Sequence, residues 1–282
     1  MSNAILRRAL ACLALPLVLL LTAGTGLAQD TSLPYASIKR PHVLVLTVGD
    51  SADTAVARQA LSYATTSVNY PTTFIDAPKL LNRQALAKFN VFVQFGPARI
   101  TPEQEKALSD FVEGGGGFLA LHDAIDGPKG GLYEKVVGGS LLRRTDPYRI
   151  YVHVVQDARR NPINAGVRDF EIREKQIFPN YAVDPPAAAR PAPAPVGPNA
   201  RRARRPDPPH VLMTGFAMDN TVDPERLKLR TNAIDNPIAG WWQEIGKGRS
   251  AYLSIGGTEA VMNHPTMQRM YENALVWLAR EP

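Results

Sequence analysis

The chain has 282 residues, of which 45% are hydrophobic and 21% are charged, with a formal net charge of +6 at pH 7. This is an ordinary globular composition and is sufficient for one large domain. The positive charge does not indicate a nucleic-acid partner, because two arginines at 7–8 and five between 190 and 205 lie outside the predicted folded body. The rest of the chain is close to charge balance, so we expect no nucleic-acid partner.

The N-terminus has the pattern of a secretory signal peptide over residues 1–28. Arg7 and Arg8 precede an apolar run at 9–21, and small residues lead to a predicted cleavage site after Ala28. The apolar run is short for a membrane span, so we expect no stable span after cleavage. The signal predicts a periplasmic or secreted protein in which residues 29–40 form a leader.

The chain contains a single cysteine, Cys12, inside the predicted signal peptide. After cleavage the protein would have no disulfide and no thiolate metal ligand. It would also have no cysteine nucleophile, which excludes cysteine-hydrolase chemistry.

Apolar strands alternate with helical patterns through the first half of the chain. Strands are predicted at 42–48, 72–76, 91–95 and 118–121, and helices at 54–67, 80–88 and 102–113. This alternation predicts an α/β protein with a right-handed parallel sheet.

The second half mixes further strands with one atypical segment. We predict a short helix at 130–137, strands at 149–155, 171–178 and 210–214, a late pair at 237–244 and 249–255, and a final helix from Pro265. Residues 182–209 are rich in Pro, Ala and Arg and are predicted to be a disordered or extended insert. We therefore expect a single domain over residues 41–282.

The stretch at 101–126 combines a helix, a glycine turn and a buried strand. Thr101 is suited to cap the helix, and Gln104 has the spacing of a capping box. His122 and Asp123 follow directly after the strand, with Asp126 beyond. Ligands of open α/β sheets bind at the carboxyl ends of the strands, so His122 is the first candidate for a site residue.

Three segments together resemble the ThuA-like (trehalose-utilisation) family. FVEGGGGFLALHDA, ending at residue 124, resembles the family's glycine-rich strand and LHAA-type turn. NPINAGV at 161–167 resembles HPITKGL, and the segments PIAGW, EIGKGR and YLSIG between 237 and 256 resemble P-x-x-W, EYGKGRVFY and TSLGH. In order and spacing the resemblance extends from about residue 41 to residue 280.

The resemblance implies a class I glutamine amidotransferase-like fold, which is a flavodoxin-like parallel sheet with helices on both faces. It also implies a link to sugar metabolism, often with disaccharides or their oxidised derivatives, and hence a small-molecule carbohydrate partner. Glu174 occupies the family's acidic position on a later strand.

The chain also departs from the family pattern. Asn161 and Gly257 stand where the family commonly has histidine, and Asp146–Pro147 occupies another such position. This departure favours a divergent enzyme or a binding protein over family-type catalysis.

His122, Asp123 and Glu174 are the candidate catalytic residues. An imidazole at a strand end can act as a general acid or base near neutral pH, and Asp123 or Glu174 would orient it or bind hydroxyls. The alternative is structural: His122 would bond a neighbouring loop, Asp123 would cap a helix, and Glu174 would form a surface ion pair with an adjacent basic residue.

Five further residues are candidates for substrate binding. Aromatic faces suit the C–H-rich faces of pyranose rings, and a carboxylate suits hydroxyl groups. The candidates are Asp126, Tyr133, Tyr148, His153 and Trp241. The alternative for each aromatic residue is packing in the core or at its rim, and one of Trp241 and Trp242 must be in the core if their strand is correctly predicted.

Two other chemistries receive weaker support. Gly49-Asp50-Ser51 resembles the GDS block of SGNH-type serine esterases, but Val261 stands where an aspartate should precede His264. The histidines show no metal-ligand spacing, so we predict no metal and no other cofactor.

The sequence therefore supports two hypotheses. In the first, the protein is an enzyme that isomerises or hydrolyses a sugar or an oxidised disaccharide through an acid/base pair. In the second, it is a non-catalytic carbohydrate-binding or complex-forming protein that uses the same cleft.

Overall fold

A computed structural model describes residues 40–48, 52–97, 99–155, 162–181, 210–218 and 238–280. All of them belong to one unit that begins at Arg40. The predicted signal peptide at 1–28, the leader up to residue 39 and the predicted insert at 182–209 lie outside the described residues.

Nine strands and six α-helices make up this part of the chain. The strands are β1 (Val43–Thr47), β2 (Thr72–Ile75), β3 (Val91–Phe95), β4 (Gly117–Leu121), β5 (Gly139–Val154), β6 (Phe170–Tyr181), β7 (His210–Ala217), β8 (Ile238–Ile245) and β9 (Gly248–Leu253). The helices are α1 (Ala52–Ser67), α2 (Arg83–Leu86), α3 (Pro102–Glu113), α4 (Leu132–Val137), α5 (Glu259–Met262) and α6 (Pro265–Ala279).

The strands form one sheet in the order β2-β1-β3-β4-β9-β8-β7-β5-β6. From β2 to β9 every neighbouring pair is parallel. Beyond β9 every pair is antiparallel, starting with the β8–β9 hairpin that the sequence predicts. The α/β fold is thus confirmed, and the sheet also has an antiparallel half that the helix–strand alternation does not indicate.

The central parallel strands are buried on both faces because helices cover each side. Every residue of β1, β3 and β4 is buried. The apolar residues divide into two clusters, one with α1 and α6 and the other with α3 and α4. Continuous apolar runs of this kind are typical of parallel strands in the centre of a sheet.

The helix before β4 begins and ends as its sequence predicts. The Thr101 side chain accepts from the backbone N–H of Gln104 at 3.3 Å, and the Gln104 side chain accepts from the Thr101 N–H at 2.9 Å. Gly115 has φ +122°, a conformation that favours glycine, and lets the chain turn into β4. This helix and turn fix the start of the strand that carries His122.

The largest difference from the predicted elements is the length of β5. It begins at Gly139, ten residues before the predicted strand, and passes through Pro147. Irregularities in its pairing with β6 accommodate this polar first half. The longer strand places Arg144 close to the segment that follows β4.

Two sheet features bring the site residues together. Leu121 at the end of β4 pairs with Leu253 at the end of β9, so the segments that follow leave the same edge of the sheet. The far strand β6 contacts both β8 and the turn at His122–Ile125, so the antiparallel half curves back towards that edge.

Candidate functional site at the end of β4

His122 has an unusual backbone conformation where β4 ends. Its φ is +49°, in the left-handed region that favours glycine. The other described non-glycine residues with positive φ, Asn69 and Arg280, follow the ends of helices. The hydroxyl of Tyr252 donates to the His122 carbonyl oxygen at 3.0 Å and helps to hold this turn. Backbone strain of this kind is concentrated at functional sites.

The imidazole of His122 lies in a tight, nearly closed environment. The residue is 8% exposed, and its ring stacks against Phe95 at a centroid distance of 6.3 Å. A Cβ atom built on Gly257 would lie 2.3 Å from His122 Nε2, so a larger residue there would have to displace the ring or the segment that carries it. Nε2 is buried and has no hydrogen-bond partner in the described part of the chain.

Glu174 extends from β6 into the same region and is 1% exposed. Its Oε1 accepts from the N–H of Gly256 at 3.1 Å, and its Oε2 accepts from the N–H of Gly257 at 3.0 Å. The exposed neighbours Arg173 and Lys175 alternate with it along the strand. The surface ion pair considered for Glu174 is therefore wrong.

Burial raises the pKa of the Glu174 carboxyl group above its ordinary value, against the charge of His122 and the two glycine N–H groups, which lower it. The group is thus a buried carboxyl that retains its proton to higher pH than a carboxyl in water. The direction of this shift is the one that a carboxyl group acting as a general acid requires.

Asp123 and Asp126 form the open side of the site, where Arg144 joins them. Arg144 Nε donates to Asp123 Oδ1 at 2.7 Å, and its NH2 nitrogen donates to Asp126 Oδ2 at 2.9 Å. Between about a quarter and two fifths of each side chain is exposed: 34% for Arg144, 27% for Asp123 and 40% for Asp126. These groups present charged donors and acceptors to solvent beside His122.

The environment of Asp123 lowers the pKa of its carboxyl group, whereas that of Glu174 raises it. Burial by itself would raise the pKa of Asp123. Hydrogen bonding and charge attraction from His122, and then from Arg144, outweigh burial and lower this pKa to about 2. Asp123 Oδ2 lies 3.5 Å from His122 Nδ1. His122 therefore interacts with one carboxyl group that stays ionised and one that resists ionisation, a division that can assign base and acid roles in an active site.

Two of the predicted aromatic contacts are in the core instead. Tyr133 and Trp241 are each 1% exposed. The Tyr133 hydroxyl donates to the carbonyl oxygen of Ala124, and Trp241 Nε1 donates to that of Val137 at 2.8 Å. The prediction that they bind a sugar is wrong, because ring faces packed in the core are not open to a ligand.

The other two predicted aromatic contacts lie on β5. Tyr148 is half-buried opposite Glu174 on the neighbouring strand, and its hydroxyl donates to Gln176 Oε1. His153 Nδ1 lies 3.0 Å from Asp169 Oδ2, and Tyr151 shares this carboxylate. Because side chains alternate along a strand, His153 lies on the opposite face of the sheet from Tyr148. Tyr148 is thus on the face of Glu174, and His153 is not.

Four further residues of the site are not among the site residues that the sequence predicts. Arg144 bonds Asp123, whereas Gly256, Tyr252 and Tyr271 border His122 or Glu174. The strand-end position of Gly256 is a usable signal, since it follows a predicted strand just as His122 does. Tyr252 lies in the family-like segment YLSIG, and nothing local marks Arg144 and Tyr271, because strand pairing and helix packing bring them to the site.

His264 is the histidine that the serine-esterase alternative would use. His264 caps α6, where its Nδ1 accepts from the Thr266 N–H at 3.2 Å, while Ser51 lies outside the described residues. Across the residues that the structure describes, no three His, Cys, Asp or Glu side chains are grouped to hold a metal ion. No helix of this part of the chain is both long enough and apolar enough to cross a membrane.

The fold and this strand-end site define an α/β protein of the glutamine amidotransferase-like class. The family model described as "ThuA: Trehalose utilisation" matches residues 42–195. The chain therefore belongs to the ThuA family, as its sequence motifs predict.

Known structures support the fold. A ThuA-like protein from Bacteroides uniformis is 15% identical, with a TM-score of 0.58 over 85% of this chain and 92% of that one. A cytoplasmic protein from Salmonella typhimurium is 13% identical, with a TM-score of 0.53 over 86% and 100%. A β-galactosidase from Rahnella sp. R3 is also 13% identical, with a TM-score of 0.53 over 86% of this chain but only 32% of that enzyme. No curated protein matched the chain.

Proposed function

We propose that this ThuA family protein is exported and binds a sugar or an oxidised disaccharide at the end of β4, where His122 and Glu174 carry out acid–base chemistry. The observation that supports this most is the position of His122. It holds a left-handed backbone conformation at a strand end, with an unpartnered Nε2 among the described residues. A strained, buried and incompletely bonded imidazole is more consistent with chemistry than with structural packing.

The carboxyl groups near His122 suit this role. Glu174 has a raised pKa and keeps its proton to a higher pH than an ordinary carboxyl group, whereas Asp123 stays ionised and orients the ring through Nδ1. Isomerisation or hydrolysis of an oxidised sugar needs a proton donor and acceptor. Asp126 and Arg144 would bind hydroxyl groups at the rim.

A second candidate function uses the same residues without turnover. His122 is 8% exposed, and Gly257 covers its Nε2. This closed arrangement favours a carbohydrate-binding or complex-forming protein in which Asp123, Asp126 and Arg144 make the contacts. The two functions predict different results for His122.

A thermal-shift screen, followed by an assay of turnover, tests both functions. The panel would contain disaccharides and 3-keto sugars, with divalent metals as a separate arm. A ligand at 100 times its dissociation constant stabilises the folded state by about 2.7 kcal/mol, which is readily detected. For an enzyme, His122→Asn abolishes turnover while the protein stays folded. For a binding protein, His122→Asn keeps the shift and no turnover is seen with any variant.

Two variants on β6 test the buried carboxyl group, and the second is the matched control for the first. Glu174→Gln alters the buried group, whereas Glu171→Gln alters an exposed carboxylate paired with Arg149. We expect Glu174→Gln to lose turnover and Glu171→Gln to retain it. Absence of a shift with every sugar would contradict carbohydrate binding, and a metal shift lost in His122→Asn would indicate metal chemistry instead.

A further inference from the structure

The segment that follows β9 covers the imidazole of His122. Gly256 has φ +122°, and Gly257 lies directly against the ring. A Cβ at Gly257 would be 2.3 Å from Nε2, and a Cβ at Gly256 would be 2.6 Å from the hydroxyl of Tyr271. Two successive glycines here allow both a close approach and a change of backbone conformation that other residues resist.

Glu174 holds this segment in place from the other half of the sheet. Both carboxyl oxygens accept hydrogen bonds from consecutive backbone N–H groups, those of Gly256 and Gly257. These bonds join β6 to a loop 82 residues away in sequence. A carboxyl group that accepts from two neighbouring N–H groups fixes the orientation of the peptide bond between them.

The closed arrangement leaves two buried polar atoms without partners. In the described part of the chain, neither His122 Nε2 nor the Tyr271 hydroxyl has a hydrogen bond. The residues are 8% and 0% exposed, and both atoms lie against the two glycines. Buried polar groups without partners are unfavourable, so the closed state forgoes bonds that movement of the glycines would allow with water or a ligand.

We propose that Gly256–Gly257 is a movable cover over His122 and that Glu174 is the latch that holds it closed. Opening breaks the two bonds to Glu174, and exposes His122 Nε2 and the Glu174 carboxyl group together. A ligand that bonds to Nε2 binds only the open form and shifts the population towards it. The proposal rests on the proposed function in one respect, since it takes His122 as the group that the ligand must reach.

Chemical modification of histidine measures the opening without any sugar. Diethyl pyrocarbonate acylates neutral imidazole nitrogens, and mass spectrometry of the full chain reports the rate at each histidine. His210 is exposed and serves as the internal reference. In the wild-type protein we expect His122 to react more slowly than His210, since its Nε2 is covered.

Two variants then test the latch and the cover separately. Glu174→Gln replaces one accepting oxygen with an NH2 group, which cannot accept from a backbone N–H, and should raise the rate at His122 about tenfold. Gly257→Ala adds a methyl group that cannot lie 2.3 Å from Nε2. We expect it to displace the segment from the ring and so to raise the rate at His122 as well. The matched control, Glu171→Gln, should leave the rate unchanged. Equal rates in wild type and in both folded variants would overturn the proposal.

Amide hydrogen exchange by NMR on the wild-type protein provides a test that does not depend on a variant folding. The cover predicts that the Gly256 and Gly257 N–H groups exchange through local opening, faster than the N–H groups of β9. Exchange of these two groups only through global unfolding would overturn the latch. Neither measurement uses a carbohydrate, so failure of the cover is distinguishable from failure of sugar binding in the thermal-shift screen.

Discussion

Arg144 and Asp123 join the two halves of the sheet at the candidate site. Arg144 lies on the long antiparallel strand β5, whereas Asp123 follows the parallel strand β4, and the guanidinium Nε donates to Asp123 Oδ1 at 2.7 Å. The same guanidinium group also bonds Asp126 at 2.9 Å. Its role is therefore to fix two carboxylates that border His122.

Replacing Arg144 should impair ligand binding more than stability. We expect Arg144→Ala to weaken sugar binding about tenfold, since one charge-assisted hydrogen bond contributes about 1.5 kcal/mol. The free energy of unfolding should fall by no more than about 1 kcal/mol, because the pair is partly exposed. Calorimetric titration and urea unfolding measure the two effects. The control is Arg149→Ala, whose partner Glu171 lies outside the site; an equal loss of binding there would contradict this role.

Asp123 should stabilise the fold in a way that disappears in acid. Its pKa is lowered from 3.8 to about 2, so the stabilisation is complete above the ordinary value and is lost as the pH falls towards 2. The free energy of unfolding of the wild type relative to Asp123→Asn should therefore decrease between about pH 5 and about pH 2. Urea unfolding across this range measures the difference, and a constant difference would be inconsistent with the lowered pKa.

Glu174 should have the opposite pH dependence. Its pKa is raised above 4.5 by burial, so its contribution to stability is present below that value and is lost as the pH rises through the folded pKa. The stability of Glu174→Gln relative to the wild type should therefore increase as the pH rises above the ordinary carboxyl value of 4.5. Thermal unfolding of both proteins across this range tests it. Glu171→Gln, on an exposed position of the same strand, should show no such trend.

The helix that leads into β4 provides a test of the fold independent of the site. Thr101→Ala removes the side-chain acceptor of the capping box and should destabilise the protein by about 1 kcal/mol. Thr101→Ser keeps the oxygen and should recover most of this loss. Urea unfolding measures both variants, and sugar binding by the remaining folded protein should not change. A loss as large in the serine variant would show that the methyl group, not the cap, is responsible.

The sequence by itself determined the local elements around His122. Short continuous runs of apolar residues indicate β1, β3 and β4, because a parallel strand that is buried on both faces needs apolar residues at successive positions. The capping box at Thr101 and Gln104 is similarly local, since its hydrogen bonds join residues three apart. The position of His122 at a strand end follows directly, and the family motifs identify the fold.

The tertiary structure decided which distant groups reach His122. Glu174 and Gly256 are 82 residues apart, and their contact depends on the curvature of an antiparallel half that no local pattern specifies. It also decided that Trp241 and Tyr133 are core residues, since an aromatic side chain in a strand or helix has the same local signature on either face. Local patterns record the burial period of an element, whereas strand order and the packing between elements set which side chains meet.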